Sequence, residues 1–498
     1  MAYCPNTSDY LLAGGAPADV AVVDAGTPYT YAELRAAAAK LAGELAALGL
    51  PPGSRVGLLG PNSLFWVAAY LAVMKLGHVA VPFPDKLTGE GIRRNAGLAG
   101  CAAAFADRRS ARRFPAVFGA GVPVLTQEAL GPGRAPYWPP AAPADASADA
   151  VLMFTSGTTS APRAVRVTHR NIQANTDSII EYLGLRSDDR VLVILPFFYC
   201  YGASLLHTHL RRGGRVVLCP SFAFPETALD QLEREECTVL AGVPSSFQLL
   251  LRASTFAQRP LPSLRLIQQA GGKLPPVLIG ELAAAKPAAQ LFVMYGQTEA
   301  TARLSYLPPA DLAAKRGSIG KGIPGVRLRV LNEHGDPVAP GERGEIYATG
   351  ANISPGYYAD PGGSAAKFTR HGLRTGDLAV VDDEGYIFIV DRRDDFIKSW
   401  GHRISSQEVE DAALRLGTLV SAAAVGVPDE AAGEAVVLFA TARAGAGVTA
   451  DDVLAACRQH LPRHMVPRSV VLLDTLPLNA NGKIAKPRLR ELAAGGGR

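Results

Sequence analysis

The chain repeats one local pattern, a short apolar run that stops at glycine or proline, followed by a stretch with apolar residues at helical spacing. RVGLLG and VAVPF show it near the N-terminus; RVLVILP, RVVLCP, CTVLAGVP and LRLIQQAGG show it again between residues 190 and 272. Ahead of them, residues 31–50 carry apolar positions three and four apart and stop at Pro51, Pro52 and Gly53, which predicts an amphipathic helix. Residues 64–76 predict another. Fully apolar strands alternating with helices belong to mostly parallel sheets covered on both faces, with ligands beyond the carboxyl ends of the strands. From Val326 the texture changes to short β-like runs, VRLRVL, GEIYATG and LAVVDDEGYIFIV, separated by glycine turns. A helix-strand-helix pattern returns after Lys398. The expectation is an α/β protein with a large N-terminal body over residues 1–393, made of mostly parallel sheets flanked by helices plus a β-rich subdomain. A small α+β C-terminal domain follows over residues 394–498. A chain of 498 residues exceeds one ordinary core, so two or more domains are expected. Residues 131–150, rich in proline and alanine, read as an exposed connector.

Several function classes are disfavoured. Hydrophobic residues at 48% and charged residues at 19% suit a folded chain. The 50 Lys and Arg and 45 Asp and Glu sum to +5 and are scattered, without the basic stripe of a nucleic-acid binder. The apolar stretch from Val67 to Phe83 is broken by Lys75 and His78, and MAYCPNTSDY has no basic region followed by an apolar one. Neither membrane insertion nor secretion is expected. Six cysteines, Cys4, Cys101, Cys200, Cys219, Cys237 and Cys457, lie far apart without a CxxC pair, which fits buried thiols in a reducing cytoplasm. His207 and His209 stand at i and i+2 and do not share a helix face, so they make a poor metal site.

The chemistry begins at VLMFTSGTTSAPRAV, an apolar strand followed by a loop of Thr155, Ser156, Gly157, Thr158, Thr159 and Ser160. Hydroxyls and free backbone N–H groups there suit a polyphosphate, although a Ser/Thr/Gly loop taken alone is more often an ordinary turn. It is not a Walker loop. GKGIPG at residues 320–325 matches G-x-G-x-x-G but leads into a strand rather than opening a helix, so it is not a dinucleotide fingerprint.

Downstream, YGQTEA at Tyr295, RTGDL at Arg374, DRRDDFIKSWGHRISSQEVE from Asp391 and PLNANGKIAK from Pro477 follow in order. With the Ser/Thr loop, these five ordered motifs resemble the AMP-forming adenylating enzymes, a superfamily that includes acyl-CoA synthetases, peptide-synthetase adenylation domains and firefly luciferase. The resemblance covers nearly the whole chain and is nearest to acyl-CoA or acyl-carrier-protein ligases. It implies that ATP and Mg²⁺ convert a small carboxylic acid to an acyl-adenylate, with pyrophosphate released. The acyl group then passes to the thiol of CoA or of a carrier protein's phosphopantetheine. It further implies that Thr155, Ser156, Gly157, Thr158 and Thr159, with Arg163, hold phosphates. Tyr295 and Gly296 would meet adenine beside Ala270, Gly271 and Gly272. Thr298 would contact the α-phosphate, Glu299 would hold Mg²⁺, Asp377 would bind the ribose hydroxyls with help from Arg392, and Lys483 would be the catalytic lysine. Asp394 would be the hinge. Arg374 and Lys398 read as solvated charges.

Two departures stand out. Where the family's phosphate loop continues with glycine, any residue, proline, lysine and glycine, this chain has Ser160, Ala161, Pro162, Arg163 and Ala164. Trp400 replaces a slim residue in the loop that lines the pantetheine tunnel, where it would narrow the tunnel or pack at the domain interface. The acyl pocket maps to LPFFYCYGAS, with Phe198, Tyr199, Cys200 and Gly202, and to VPSSFQLLL, with Val243. No carboxylate is present there for a substrate ammonium, which disfavours an ordinary α-amino acid and favours an uncharged-tail acid, aliphatic or aromatic. The alternatives are a stand-alone amino-acid-adenylating enzyme and a nucleotide-binding relative without turnover.

Overall fold

The computed structural model describes residues 3–85, 87–132, 134–140, 145–155, 162–392, 395–430, 432–443 and 445–495. The apolar runs become strands of two large sheets. One has six strands in the order Val124–Leu125, Cys101–Ala106, Arg55–Leu59, Val79–Phe83, Asp149–Phe154 and Ala164–Thr168, parallel except for the last pair. The other has nine. Its interior, Gln290–Tyr295, Leu266–Gln269, Val239–Gly242, Arg190–Val193, Arg215–Leu218 and Val20–Asp24, is parallel, and antiparallel strands close both edges. The largest apolar core lies between these sheets and includes the helices Tyr31–Ala46, Leu64–Lys75 and Cys200–Arg212.

The helix Tyr31–Ala46 starts where Thr30 accepts from the Glu33 amide and the Glu33 carboxylate accepts from the Thr30 amide. Leu34, Ala38, Leu41 and Leu45 are fully buried on one face. The helix ends before the prolines expected to stop it, because Gly49 has already turned the chain at φ +63°. Leu64–Lys75 is buried almost all round, including Lys75, whose ammonium pairs with Asp9 at 2.6 Å.

The described residues of the connector, 131, 132, 134–140 and 145–150, are only partly exposed. Trp138 donates its indole N–H to Asp9 at 3.2 Å, and Lys75 stands 5.1 Å above its ring. The Tyr137 amide donates to the Ala39 carbonyl. The amphipathic Trp138, the Tyr137 amide and the Arg134 backbone dock a stretch that proline and alanine content alone marks as exposed.

Beyond Val326 an antiparallel sheet of Val326–Leu331, Arg343–Gly350, Phe368–Thr369, Gly372–Val381 and Ile387–Arg392 forms the β-rich subdomain. After it comes a sheet of Ile397–Ser399, His402–Ile404, Leu419–Asp429, Gly433–Ala442 and Ser469–Leu472 with its own apolar core, which includes Ile397, Val409, Leu438 and Val453. Five of the six cysteines are buried and all are free thiols; Cys4 is half-buried. His207 bonds the Tyr70 hydroxyl at 2.9 Å, and burial pushes its pKa down to about 3. Burial likewise takes His209 to about 4. Among the described residues, no helix is long and apolar enough to cross a membrane.

Candidate active site

The site forms where strands of the nine-stranded sheet end and the small C-terminal part folds over them. Leu266–Gln269 runs out into Ala270, Gly271 and Gly272. Gly271 sits at φ +89°, and a Cβ there would lie 2.7 Å from the Tyr199 hydroxyl and 2.8 Å from Val243. The neighbouring strand ends at Tyr295, and a Cβ on Gly296 would lie 1.9 Å from the Ala302 carbonyl. Only glycine allows this doubling back, which continues through a 3₁₀ turn at Thr298–Ala300 and returns the Leu304 amide to the Tyr295 carbonyl.

Thr298 and Glu299 sit on that turn. The Thr298 hydroxyl is 3.6 Å from the Cys200 sulfur, and buried Glu299 accepts from the Tyr357 hydroxyl at 2.7 Å. Arg163 lies 5.1 Å over the Tyr357 ring and pairs with Asp360 at 3.2 Å. It therefore braces Tyr357 and does not line the cavity. Thr155 closes the base of its loop, its amide donating to the Arg163 carbonyl at 2.9 Å. Ser156, Gly157, Thr158, Thr159 and Asp394 lie outside the described residues.

Asp377 is buried on the strand Gly372–Val381, where it accepts from the Tyr295 hydroxyl and from Arg392 Nε at 3.2 Å. Burial, followed by the Asp377 charge, holds the Tyr295 phenol far above its ordinary pKa, so it remains a donor. A carboxylate has about four acceptor positions, so Asp377 keeps capacity for further hydroxyls.

Lys483 arrives from the C-terminal part on a tight turn. The Asn479 side-chain oxygen accepts from the Asn481 and Lys483 amides, Gly482 is at φ +77°, and its carbonyl accepts from Ser245 at 2.6 Å. The Lys483 ammonium stands 5.6 Å from the Tyr199 ring centroid. Burial, then the Arg392 charge, lowers its pKa to about 8. Lys273 pairs with Asp411 at 3.0 Å as a second tie between the parts. A cavity of about 290 Å³ remains, lined by Gly271, Tyr295, Asp377 and Arg392 on one side and by Asp411 and Lys483 on the other.

Several sequence expectations change. Gly202 lacks a side chain because a Cβ would lie 2.1 Å from the Pro196 carbonyl, so chain packing explains it. Arg374 is not a solvated charge; it forms a two-point pair with Glu345, both distances 2.9 Å. Lys398 is exposed, as expected. In the present conformation Trp400, at φ +51°, is 65% exposed and lies outside the cavity. Phe198, Tyr199, Cys200 and Val243 are buried in the core beside Ala270. Sequence motifs do not point to Tyr357, and although Ser245 and Asn479 lie within the segments VPSSFQLLL and PLNANGKIAK, their roles in holding the Lys483 turn are not readable there. Nor do the motifs point to Arg303, whose one signal is a lone charge in the run ARLSYL.

A carboxylate beside aromatic and glycine-backbone surfaces, with the cations Arg392 and Lys483 on the same cavity, is the complement of a ribose, a base and phosphates. Fold and site thus define a nucleotide-handling, adenylate-forming class of enzyme. The chain belongs to the AMP-binding enzyme family: residues 12–358 match the AMP-binding enzyme, and residues 408–483 match its C-terminal domain. It is 33% identical to a feruloyl-CoA synthase of Amycolatopsis sp, over 95% of this chain and 96% of that protein. Its structure is similar to ATP-bound MatB of Rhodopseudomonas palustris, with a TM-score of 0.89, 27% identity and 98% of each chain covered. It is also similar to the o-succinylbenzoate CoA synthetase MenE of Bacillus subtilis in complex with the acyl-adenylate OSB-AMP, with a TM-score of 0.86 and 28% identity over 98% of this chain and 99% of that one.

Proposed function

We propose that the protein joins a carboxylic acid to the thiol of CoA in two half-reactions. A carboxylate oxygen attacks the α-phosphorus of ATP, the bond to pyrophosphate breaks and acyl-AMP forms. The thiol sulfur then attacks the acyl carbonyl, the acyl–phosphate bond breaks, AMP leaves and the thiol proton is lost to solvent. The observation that carries this reading is the convergence of Lys483 and Asp377 on one cavity from opposite parts of the chain. CoA is preferred over a carrier protein as acceptor because the similar proteins include a CoA synthase and a CoA synthetase. ATP–pyrophosphate exchange with an acid panel, followed by thioester assay with CoA, tests it. Exchange without a thioester product would sink the second half.

In this reading, Lys483 offsets the charge that gathers between carboxylate and α-phosphate, which otherwise repel each other. Tyr295 presents its ring to adenine while its hydroxyl fixes Asp377, so that Asp377 offers its remaining lone pairs to the ribose. Arg392 holds the other side of that carboxylate. Thr298 faces the α-phosphate. The hydroxyls of Thr155, Ser156, Thr158 and Thr159, with the backbone of Gly157, take the outer phosphates. Glu299 is an oxygen ligand suited to Mg²⁺, which when bound supplies charge neutralisation at the triphosphate. The body would end at residue 393 and the small domain would turn about Asp394.

Two expectations follow from this geometry. Glu299→Gln raises the Mg²⁺ concentration needed for half-maximal exchange more than the KM for the acid, because a neutral amide is a poorer ligand for a hard cation. Equal damage to both in a Mg²⁺ titration would indicate a positioning role. Asp377→Ala chiefly weakens ATP binding, by about 1.5–3 kcal/mol for each charge-assisted hydrogen bond to the ribose that it removes. Titration calorimetry with ATP alone checks this, and an unchanged Kd would remove Asp377 from the ribose.

A further inference from the structure

Arg303 is 1% exposed, and its guanidinium carbon lies 3.9 Å from the Tyr201 ring centroid. Its Nε and Nη2 have no hydrogen-bond partner, the Tyr182 hydroxyl stands beside its guanidinium, and it forms no ion pair among the described residues. Stacking on a ring offsets part of the cost of burying a cation, but much less than a counter-charge would. The position is fixed from behind, where the Arg303 carbonyl accepts from Asn352 at 2.8 Å and from Asn175 at 3.2 Å.

Gln268 shares the place. It is 1% exposed with both side-chain polar atoms unpartnered, and its backbone carbonyl accepts from the Tyr201 hydroxyl at 2.7 Å. Strand alternation puts it on the same sheet face as Leu266, which packs into the core that holds Tyr201. Buried polar groups in folded proteins are almost always satisfied, so this many unmet atoms around one ring mark a place meant for something else.

Rings connect that place to the reacting centre. Lys483 stands 5.6 Å from the Tyr199 centroid, the Tyr199 and Tyr201 centroids are 6.2 Å apart, and Arg303 is the next step inward. Tyr199, Tyr201, Arg303 and Gln268 are all buried and do not line the cavity of about 290 Å³, so an acid whose reacting carboxylate lies near Lys483 would reach Arg303 and Gln268 only when the two tyrosine rings swing aside.

We propose that the acid this protein activates carries a second carboxylate at its far end, bound by Arg303 with Gln268 beside it. This rests on the ligase reading and narrows its substrate class, replacing the uncharged tail expected from the missing aspartate. The planar guanidinium fork matches a carboxylate at two points, and the Gln268 amide can donate to a remaining lone pair. A cation there also repels an ammonium, a second reason against amino acids. The apolar walls of Val243 and the tyrosine rings suit the spacer between the two acid groups.

The test is ATP–pyrophosphate exchange by the full chain with matched pairs of acids: heptanoic and heptanedioic, 3-phenylpropanoic and 3-(4-carboxyphenyl)propanoic, cinnamic and 4-carboxycinnamic. In at least one pair the carboxylated member should have a kcat/KM higher by about 10²-fold or more, because a site built to bind a polar group rejects the analogue that lacks it. Arg303→Met should collapse that ratio to within about threefold, and Arg303→Lys should restore part of it. The KM for ATP in Arg303→Met should stay at the wild-type value, which a general packing defect would not allow. If the neutral member of every pair serves as well or better, the proposal is overturned and Arg303 is a stacking residue, while the ligase reading stands. If no acid of either series or of a broader panel supports exchange, the ligase reading fails and this inference with it.

Discussion

Lys483→Ala is expected to lower ATP–pyrophosphate exchange by about 10²- to 10³-fold, the usual loss when a preorganised charge is removed from a reacting group. Thioester formation from supplied acyl-adenylate should persist, because the α-phosphate attack that the lysine assists is already complete. The structure adds a pH signature. With its pKa near 8, Lys483 is a cation below that pH and loses its proton above it. The kcat/KM for ATP, which reports the free enzyme, should therefore fall as pH rises through about 8. Bound triphosphate places negative charge beside the amine and raises its pKa, so the same limb in kcat should move to higher pH. Lys483→Arg should remove the limb from both profiles. A limb at the same pH in that variant would assign it to another group and take the lysine out of the step.

The fold was legible wherever a run of residues carried its own period. The strands at RVGLLG, RVVLCP and LRLIQQAGG appear as their apolar runs and glycine or proline stops predict, although the last also buries Gln268 and Gln269. The end of the helix Tyr31–Ala46 was misplaced because glycine in the left-handed region acts before proline. The docking of the connector is not legible because it rests on long-range contacts of Trp138, the Tyr137 amide and the Arg134 amide. At the site, the residues named by ordered motifs, Tyr295, Asp377 and Lys483, do meet at one cavity. Residues that act through long-range contacts were not readable: Tyr357 is 58 positions from Glu299, and Ser245 is 237 from Gly482. Arg303 shows the same limit from the other side. Its charge is plain in the sequence, but its lack of a partner is a property of three dimensions.

Asp394→Pro is expected to leave exchange near the wild-type rate and to cut thioester formation by about 10²-fold or more, on the proposal that the small domain turns about Asp394 to bring a different face to the site for each half-reaction. In the present conformation, Lys483 faces the cavity, and Ser245 with Gly482 and Lys273 with Asp411 tie the parts together. The segment with Trp400, Gly401 and His402 is turned away: Trp400 is 65% exposed, Gly401 is at φ +76°, and the His402 ring stacks on His464 at 4.3 Å. A rigid domain cannot present Lys483 and Trp400 to one cavity at once, which is why the proposed acyl transfer has the domain turn. Proline fixes φ near −65° and removes an N–H, which holds the chain in whichever state tolerates that geometry. A second lock is independent of Asp394. Cysteines at positions 273 and 411, joined by a short cleavable bis-maleimide, should preserve exchange, block thioester formation and release it on cleavage. If both half-reactions slow in equal proportion in Asp394→Pro, and the linked protein still makes thioester at the unlinked rate, the domain does not turn and Asp394 is a structural residue of the interface.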